Sequence, residues 1–235
     1  MLLDRDEATA TRVAGEIAAF GREAALVCHC DVTDEAACDA AVAAAEARFG
    51  RIDVLVNNAG ITHRSAFEAT RSDVLRRVMD VNLFGAVNLT RAALPALKRR
   101  HGLIVVISSV AGYTPLLART GYAASKHALH GLFSSLRTEL AADGVGVMLA
   151  CPSFTATDID RHALGATGEP ATHAQVVIGR RLSPLAVADR IVHAAARNRR
   201  LVLIGRTAHV AWWLHRLAPA LYERLMSRRM RAEMR

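Results

Sequence analysis

Lysine is nearly absent from this chain: Lys98 and Lys126 are the only two, beside 28 arginines. Long apolar runs are missing too. Although 52% of the residues are hydrophobic, mean hydropathy is only +0.19. No uninterrupted apolar stretch approaches the ~20 residues a membrane-crossing helix needs. The start, "MLLDRDEATATRV", lacks a basic segment followed by an apolar one, so it does not read as a secretory signal. Four cysteines, Cys28, Cys30, Cys38 and Cys151, show neither zinc-site nor disulfide-framework spacing. Cys28 and Cys30 fall on one face of an expected strand and read as a buried pair of free thiols, which points to a reducing, cytoplasmic setting. Internal repeats and low-complexity linkers are absent, no metal-ligand set is visible, and G-x-x-x-G-x-G occurs nowhere.

Negative charge is scarce towards the end of the sequence. The first 196 residues hold 20 basic and 20 acidic side chains, whereas residues 197–235 hold ten arginines against Glu223 and Glu233 alone. The net charge of +8 therefore belongs to the tail, and a nucleic-acid-binding body is not expected. At 235 residues the chain is long enough for one large domain with a substantial core.

Against this background one constellation stands out. Tyr122 and Lys126 lie four residues apart in "GYAASKHALHGLFSSLRTEL", an apolar-periodic segment that predicts a helix. Residues at i and i+4 share a helix face, so an ammonium can lie beside a phenol. A free tyrosine has a pKa of about 10, and a neighbouring positive charge favours its phenolate, which suits acid–base work near neutral pH. Ser109 ends the apolar run "LIVVISS", where its hydroxyl can hold a substrate oxygen. The alternative is an ordinary surface Tyr–Lys pair. The lysine-poor composition argues for chemistry, because arginine's planar fork does not replace a compact ammonium.

In chain order, Met1-Leu2-Leu3 is too short for a full strand. "EATATRVAGEIAAFG" predicts a helix ending at Gly21. "AALVCHCDV" predicts a strand, and Thr33 or Asp34 can cap an alanine-rich helix running to Phe49 and Gly50. "IDVLVNNAG" is an apolar strand entering a turn. One long helix is expected over 72–99. "LIVVISS", "GVGVMLACP" and "RLVLIG" predict further strands, with the Tyr122 helix and "SPLAVADRIVHAAARN" between them, the latter with Pro184 near its start. Strands without polar alternation, separated by helices, indicate a doubly wound α/β fold with a parallel sheet. Ligand sites in such sheets lie beyond the carboxyl ends of the strands, where Asp4, Asp31, Asn57 to Gly60, Ser109 and Pro152 all stand.

With these residues in place, residues 1–205 resemble the classical short-chain dehydrogenase/reductase family. The matches are "CDVTD", Asn57-Asn58-Ala59-Gly60, "VNLFG" with Asn82, "ISSVAG" with Ser109, and Tyr122-x-x-x-Lys126. The resemblance implies a Rossmann-like domain and hydride transfer between a nicotinamide cofactor and a secondary alcohol or ketone. It makes Tyr122 the general acid/base and Ser109 the residue that orients the substrate oxygen. Lys126 would lower the Tyr122 pKa and bind the nicotinamide ribose, and Asn82 would hold a water linking Lys126 to solvent. Asp31 and Val32 would border the adenine, and Asn57, Ala59 and Gly60 the ribose and phosphate path. Thr157 matches a nicotinamide contact, although Ser153 stands where the family has glycine. Asp4 would hydrogen-bond the adenosine 2′-OH and repel a 2′-phosphate, favouring NAD; Arg5 keeps NADP open. A homo-oligomer is also implied.

The family's first strand and glycine-rich phosphate turn have no counterpart here. The domain is expected to be N-terminally incomplete, the true start lying upstream of Met1. The segment before residue 52 should then be cut off from the rest of the sheet, loosely or non-natively attached, and the cofactor should bind weakly. A non-catalytic fragment or interaction protein is the rival expectation. His127 and His130 read as packing or interface residues, and His63 and Arg64 either as residues facing the substrate mouth or as exposed loop residues. Residues 155–181 are expected to cover the substrate. The tail, residues 206–235, is expected to be a separate basic amphipathic unit carrying Val210, Trp213, Leu214, Leu217, Leu221 and Leu225. It would dock on the domain or a partner subunit, or lie on an anionic membrane surface; a nucleic-acid role is not expected.

Overall fold

Among the described residues every strand of the fold pairs in parallel, yet the strands form two sheets rather than one. The computed structural model describes residues 1–20 and 25–234, so the helix end expected at Gly21 lies outside the described residues. β1 (Leu2–Asp4) pairs with β2 (Val27–His29). β3 (Val54–Asn57), β4 (Leu103–Ile107), β5 (Gly146–Pro152) and β6 (Leu201–Ile204) lie side by side in that order. The expected separation ahead of residue 52 is thus present in the hydrogen bonding. The Met1 segment, read as too short for a full strand, does pair, though over three residues only.

The helices follow from local signals. α1 (Glu7–Ala19) starts at Asp6, whose carboxylate accepts from Thr9 N–H. α2 (Glu35–Phe49) is capped by Asp34 accepting from Ala37 N–H at 3.1 Å, and it closes at Gly50, where a φ of 72° suits glycine. The helix expected over 72–99 is interrupted. α3 (Ser72–Met79) and α4 (Gly85–Arg100) are joined by a π-helical turn, Asp80–Phe84, in which Gly85 N–H reaches back to Asp80 O. Such turns insert one residue into the helical repeat and commonly mark functional positions. α5 (Thr120–Glu139) and α6 (Pro184–Ala196) follow as expected, the latter with proline in its first turn.

Alternate residues of β4 bury opposite faces. Ile104 and Val106 pack with Ala93 and Leu97 of α4 and Leu129 and Phe133 of α5, while Val105 packs with Met148, Ile191 and Ala194. Helices on both faces of a parallel sheet explain why these strands carry no polar alternation. The two sheets are held together by side chains instead of strand pairing: Cys30, Val32, Cys38, Ala41 and Leu89 form one buried cluster, with Leu3 and Leu55 against it. Residues before 52 are therefore seated by helix packing rather than loosely attached. The buried thiol pair is Cys30 with Cys38, 4.0 Å apart, rather than Cys28 with Cys30. Val54 and Val56, on the other side of the edge strand β3, stay about half exposed.

The tail is amphipathic but not detached. α7 (Arg206–Leu217) and α8 (Pro219–Met230) form a hairpin ending in a 3₁₀ turn, Arg231–Met234. Ala211, Tyr222, Met226 and Met230 bury against Val110, Tyr113, Leu116 and Leu117 beyond β4. Tyr222 Oη donates to Thr114 Oγ1 at 3.0 Å, and Tyr113 Oη to Ala208 O at 2.9 Å.

Candidate active site

Helical spacing brings Tyr122 and Lys126 together on α5, with Lys126 Nζ 5.8 Å from the centre of the Tyr122 ring. The lysine is 4% exposed and donates to Ile107 O, the last residue of β4, at 2.9 Å. Burial pulls its pKa down to about 8, since a charged amine is disfavoured away from water. Burial also holds the Tyr122 phenol above the ordinary tyrosine range; a hydrogen bond with Ser109 and the Arg119 guanidinium act in the opposite direction. Lys126 is not among the charges that act most on that phenol. The ammonium is turned to a backbone carbonyl and its own charge is weakened by burial.

Asn82 is fully buried on the π-helical turn, which aims its amide inward. Its Oδ1 accepts from Ile61 N–H at 2.8 Å, and its Nδ2 donates to Ile61 O and Ser125 Oγ, each at 2.9 Å. It thereby ties the loop after β3 to the turn of α5 that carries Lys126. Gly60 lies in that loop. A Cβ there would stand 3.2 Å from Asn82 Oδ1 and 3.5 Å from Lys126 Nζ, so the absence of a side chain keeps space open between the two.

Two histidines are structural. His63 is fully buried, neither facing the substrate mouth nor exposed on a loop: its Nε2 accepts from Gly121 N–H at 2.9 Å in the first turn of α5. The proton is then on Nδ1, 3.4 Å from Ser65 Oγ. Arg64 is buried as well. His130 packs as expected, with Nε2 3.0 Å from Ser108 Oγ and 3.5 Å from Cys151 Sγ. Burial lowers both imidazoles to about 4 and pushes the Cys151 thiol up to about 12.

A cavity of about 540 Å³ opens at the carboxyl ends of β4 and β5. Gly60, Ser109, Tyr122, Lys126 and Thr157 line it, among mainly apolar neighbours such as Val110, Phe154 and Leu214. Ser153 lines it too and is not among the residues with left-handed backbone, so the family's glycine is not needed there. Asp4, Asp31, Val32, Asn57 and Ala59 do not line this cavity. Asp31 borders a separate hollow of about 290 Å³ with Arg5 and Thr33. Asp4 Oδ1 accepts from Asp6 N–H, and Val32 is core. Asn57 donates to Thr90 Oγ1 while its buried Oδ1 has no partner.

These residues fit one end of a nicotinamide cofactor. Lys126 has no carboxylate partner among the described residues, and Gly60 leaves room beside it. They do not provide a glycine-rich helix N-terminus for the pyrophosphate. Among the described residues, no group of His, Cys, Asp and Glu could hold a metal ion.

The tail supplies a wall that sequence reading did not anticipate. Leu214 of α7 and Tyr222 and Met226 of α8 line the cavity, and the hairpin is pinned by a buried ion pair between Arg119 Nη2 and Glu233 Oε1 at 3.0 Å. Glu233 Oε1 also accepts from Val176 N–H. The available signal was that Glu233 is one of two acids among the tail's arginines.

The short chain dehydrogenase family model matches residues 1–166. The chain belongs to that family. It is 39% identical over 210 residues to dehydrogenase/reductase SDR family member 7B of Bos taurus, covering 87% of this chain and 65% of that protein. It thus spans less than two thirds of the length of this curated relative. Its fold is similar to a short chain dehydrogenase/reductase from Burkholderia phymatum in complex with NAD, with a TM-score of 0.81 and 26% identity over 94% of this chain and 84% of that one. A gluconate 5-dehydrogenase from Burkholderia cenocepacia in complex with NADP and tartrate has a TM-score of 0.73 at 28% identity, covering 87% of this chain and 82% of that one.

Proposed function

We propose that this chain is an NAD(P)-dependent oxidoreductase that interconverts a secondary alcohol and a ketone. The carrying observation is the convergence of Ser109, Tyr122 and Lys126 in one largely apolar cavity, with Asn82 and Gly60 behind them. Tyr122 Oη gives or takes the proton of the substrate oxygen, which Ser109 Oγ orients. Lys126 holds the cofactor's nicotinamide ribose, and Asn82 fixes the loop beside it and holds the water that links Lys126 to solvent. Thr157 would contact the nicotinamide, and Gly60 would line the ribose and phosphate path. The cofactor, when bound, supplies or accepts the hydride. Asp4, Asp31, Val32, Asn57 and Ala59 would meet its adenosine and phosphate half. Asp4 favours NAD, and Arg5 makes NADP the alternative.

The reading extends to a small-molecule substrate in a cytoplasmic setting, a homo-oligomer, and peripheral membrane contact through residues 206–235. Among the described residues no helix is long and apolar enough to cross a membrane. The test is Tyr122→Phe in the full chain, with NADH or NADPH consumption followed on medium-chain ketones. Turnover should fall about 10²-fold or more with NADH binding retained; near-normal turnover overturns the assignment.

The separation of the two sheets favours a second reading, a non-catalytic chain with impaired cofactor binding. Fluorescence titration with both NADH and NADPH separates the two, because a folded chain that enhances the emission of neither belongs to the second.

A further inference from the structure

The hairpin that walls the cavity turns a different face outward. Trp213 is 59% exposed and Leu217 78%, and Val210, Leu221 and Leu225 are exposed beside them. On α7, Val210, Trp213 and Leu217 recur at i, i+3 and i+7, and on α8, Leu221 and Leu225 recur at i and i+4, so each helix of the hairpin carries an exposed apolar row. Val210 and Leu225 also line the cavity, which places its mouth on this face. Cations flank it: Arg206, Arg216, Arg224, Arg228, Arg229 and Arg231 are exposed, and Arg228 and Arg229 prolong the leucine row of α8. Glu223 is the one exposed acid of the hairpin, because Glu233 is buried against Arg119.

We infer that the outer face of α7–α8 docks on an anionic lipid bilayer, with the mouth of the cavity opening into the lipid. An apolar face bordered by arginines, with almost no acid, matches the acyl boundary and the phosphate layer above it. A second copy of this chain is a poor occupant, since it would bring a like array of arginines against the first. Nucleic acid is a poor one too: the rows are aliphatic, and Trp212 is already covered by Arg216, 3.3 Å from its ring centre. This inference deepens the membrane contact proposed above, but its test needs neither cofactor nor turnover, so its failure leaves the oxidoreductase reading standing.

The test is co-sedimentation of the full chain with vesicles of phosphatidylcholine, with and without phosphatidylserine, at low and high salt. Binding should require phosphatidylserine and weaken as salt rises. Arg224→Glu with Arg228→Glu should weaken it about tenfold or more, and Trp213→Ser with Leu217→Ser and Leu221→Ser should abolish it. Circular dichroism would confirm that each variant is folded. Brominated acyl chains should quench the emission of a Trp212→Phe variant and not that of Trp213→Phe. Absence of phosphatidylserine-dependent binding, equal binding by the folded variants, or a dimer in light scattering that the same substitutions dissolve would each overturn the inference.

Discussion

Arg119 and Glu233 are 114 residues apart in sequence and 3.0 Å apart in the fold, and both are almost wholly buried. One sits at the entry to α5, three residues before Tyr122; the other closes the chain's last turn. Their contact makes the C-terminus part of the cavity's construction.

Breaking a buried pair by removing one partner leaves the other charge without compensation, at a cost of about 3–5 kcal/mol. Glu233→Gln should therefore lower the urea midpoint strongly. The double change Arg119→Met with Glu233→Leu should recover much of that loss, because neither charge remains. If Glu233→Gln alone unfolds like the parent protein, the pair does not anchor the tail.

Lys126 gives stability a defined dependence on alkaline pH. Its folded pKa, about 8, lies below the ordinary 10.5, so between those values the unfolded chain binds more protons and stability rises with pH. Lys126→Met lacks this titration. The difference in unfolding free energy between the two proteins should move in the parent's favour from pH 8 to 10.5, and a constant difference would contradict the buried, weakened charge.

His63 acts on the acid side. It stays neutral in the fold down to about pH 4 while the unfolded imidazole protonates near 6.5. Its contribution to stability is present above 6.5 and is lost as pH falls towards 4. His63→Gln keeps an acceptor for Gly121 N–H without the titration, so its stability should fall less steeply over that range. A parallel decline in both proteins would mean that His63 is protonated in the fold.

Local signals made much of this structure legible. Asp34 and Gly50 bounded α2 because caps are decided within a few residues, and the spacing of Tyr122 and Lys126 is a property of any helix. The π-helical turn was hidden, because one inserted residue scarcely disturbs the apolar pattern across 72–99; what it does to Asn82 is visible only in three dimensions. The roles of His63 and Glu233 depended on partners 58 and 114 residues away, a distance at which spacing carries no information. Cys30 has its partner only eight residues on, yet the pairing with Cys38 depends on how the chain after β2 packs on α2.

The burial of Lys126 also decides how the protein meets electrophiles. Among these 235 residues the side-chain amines are those of Lys98, held by Asp143 at 2.8 Å, and Lys126. Arginines stay protonated and do not compete. Near pH 8 a large share of the Lys126 side chain is the free amine, and the cavity governs which acylating molecules reach it. A covalent label shaped for that cavity would mark one nitrogen, placed beside the ring of Tyr122.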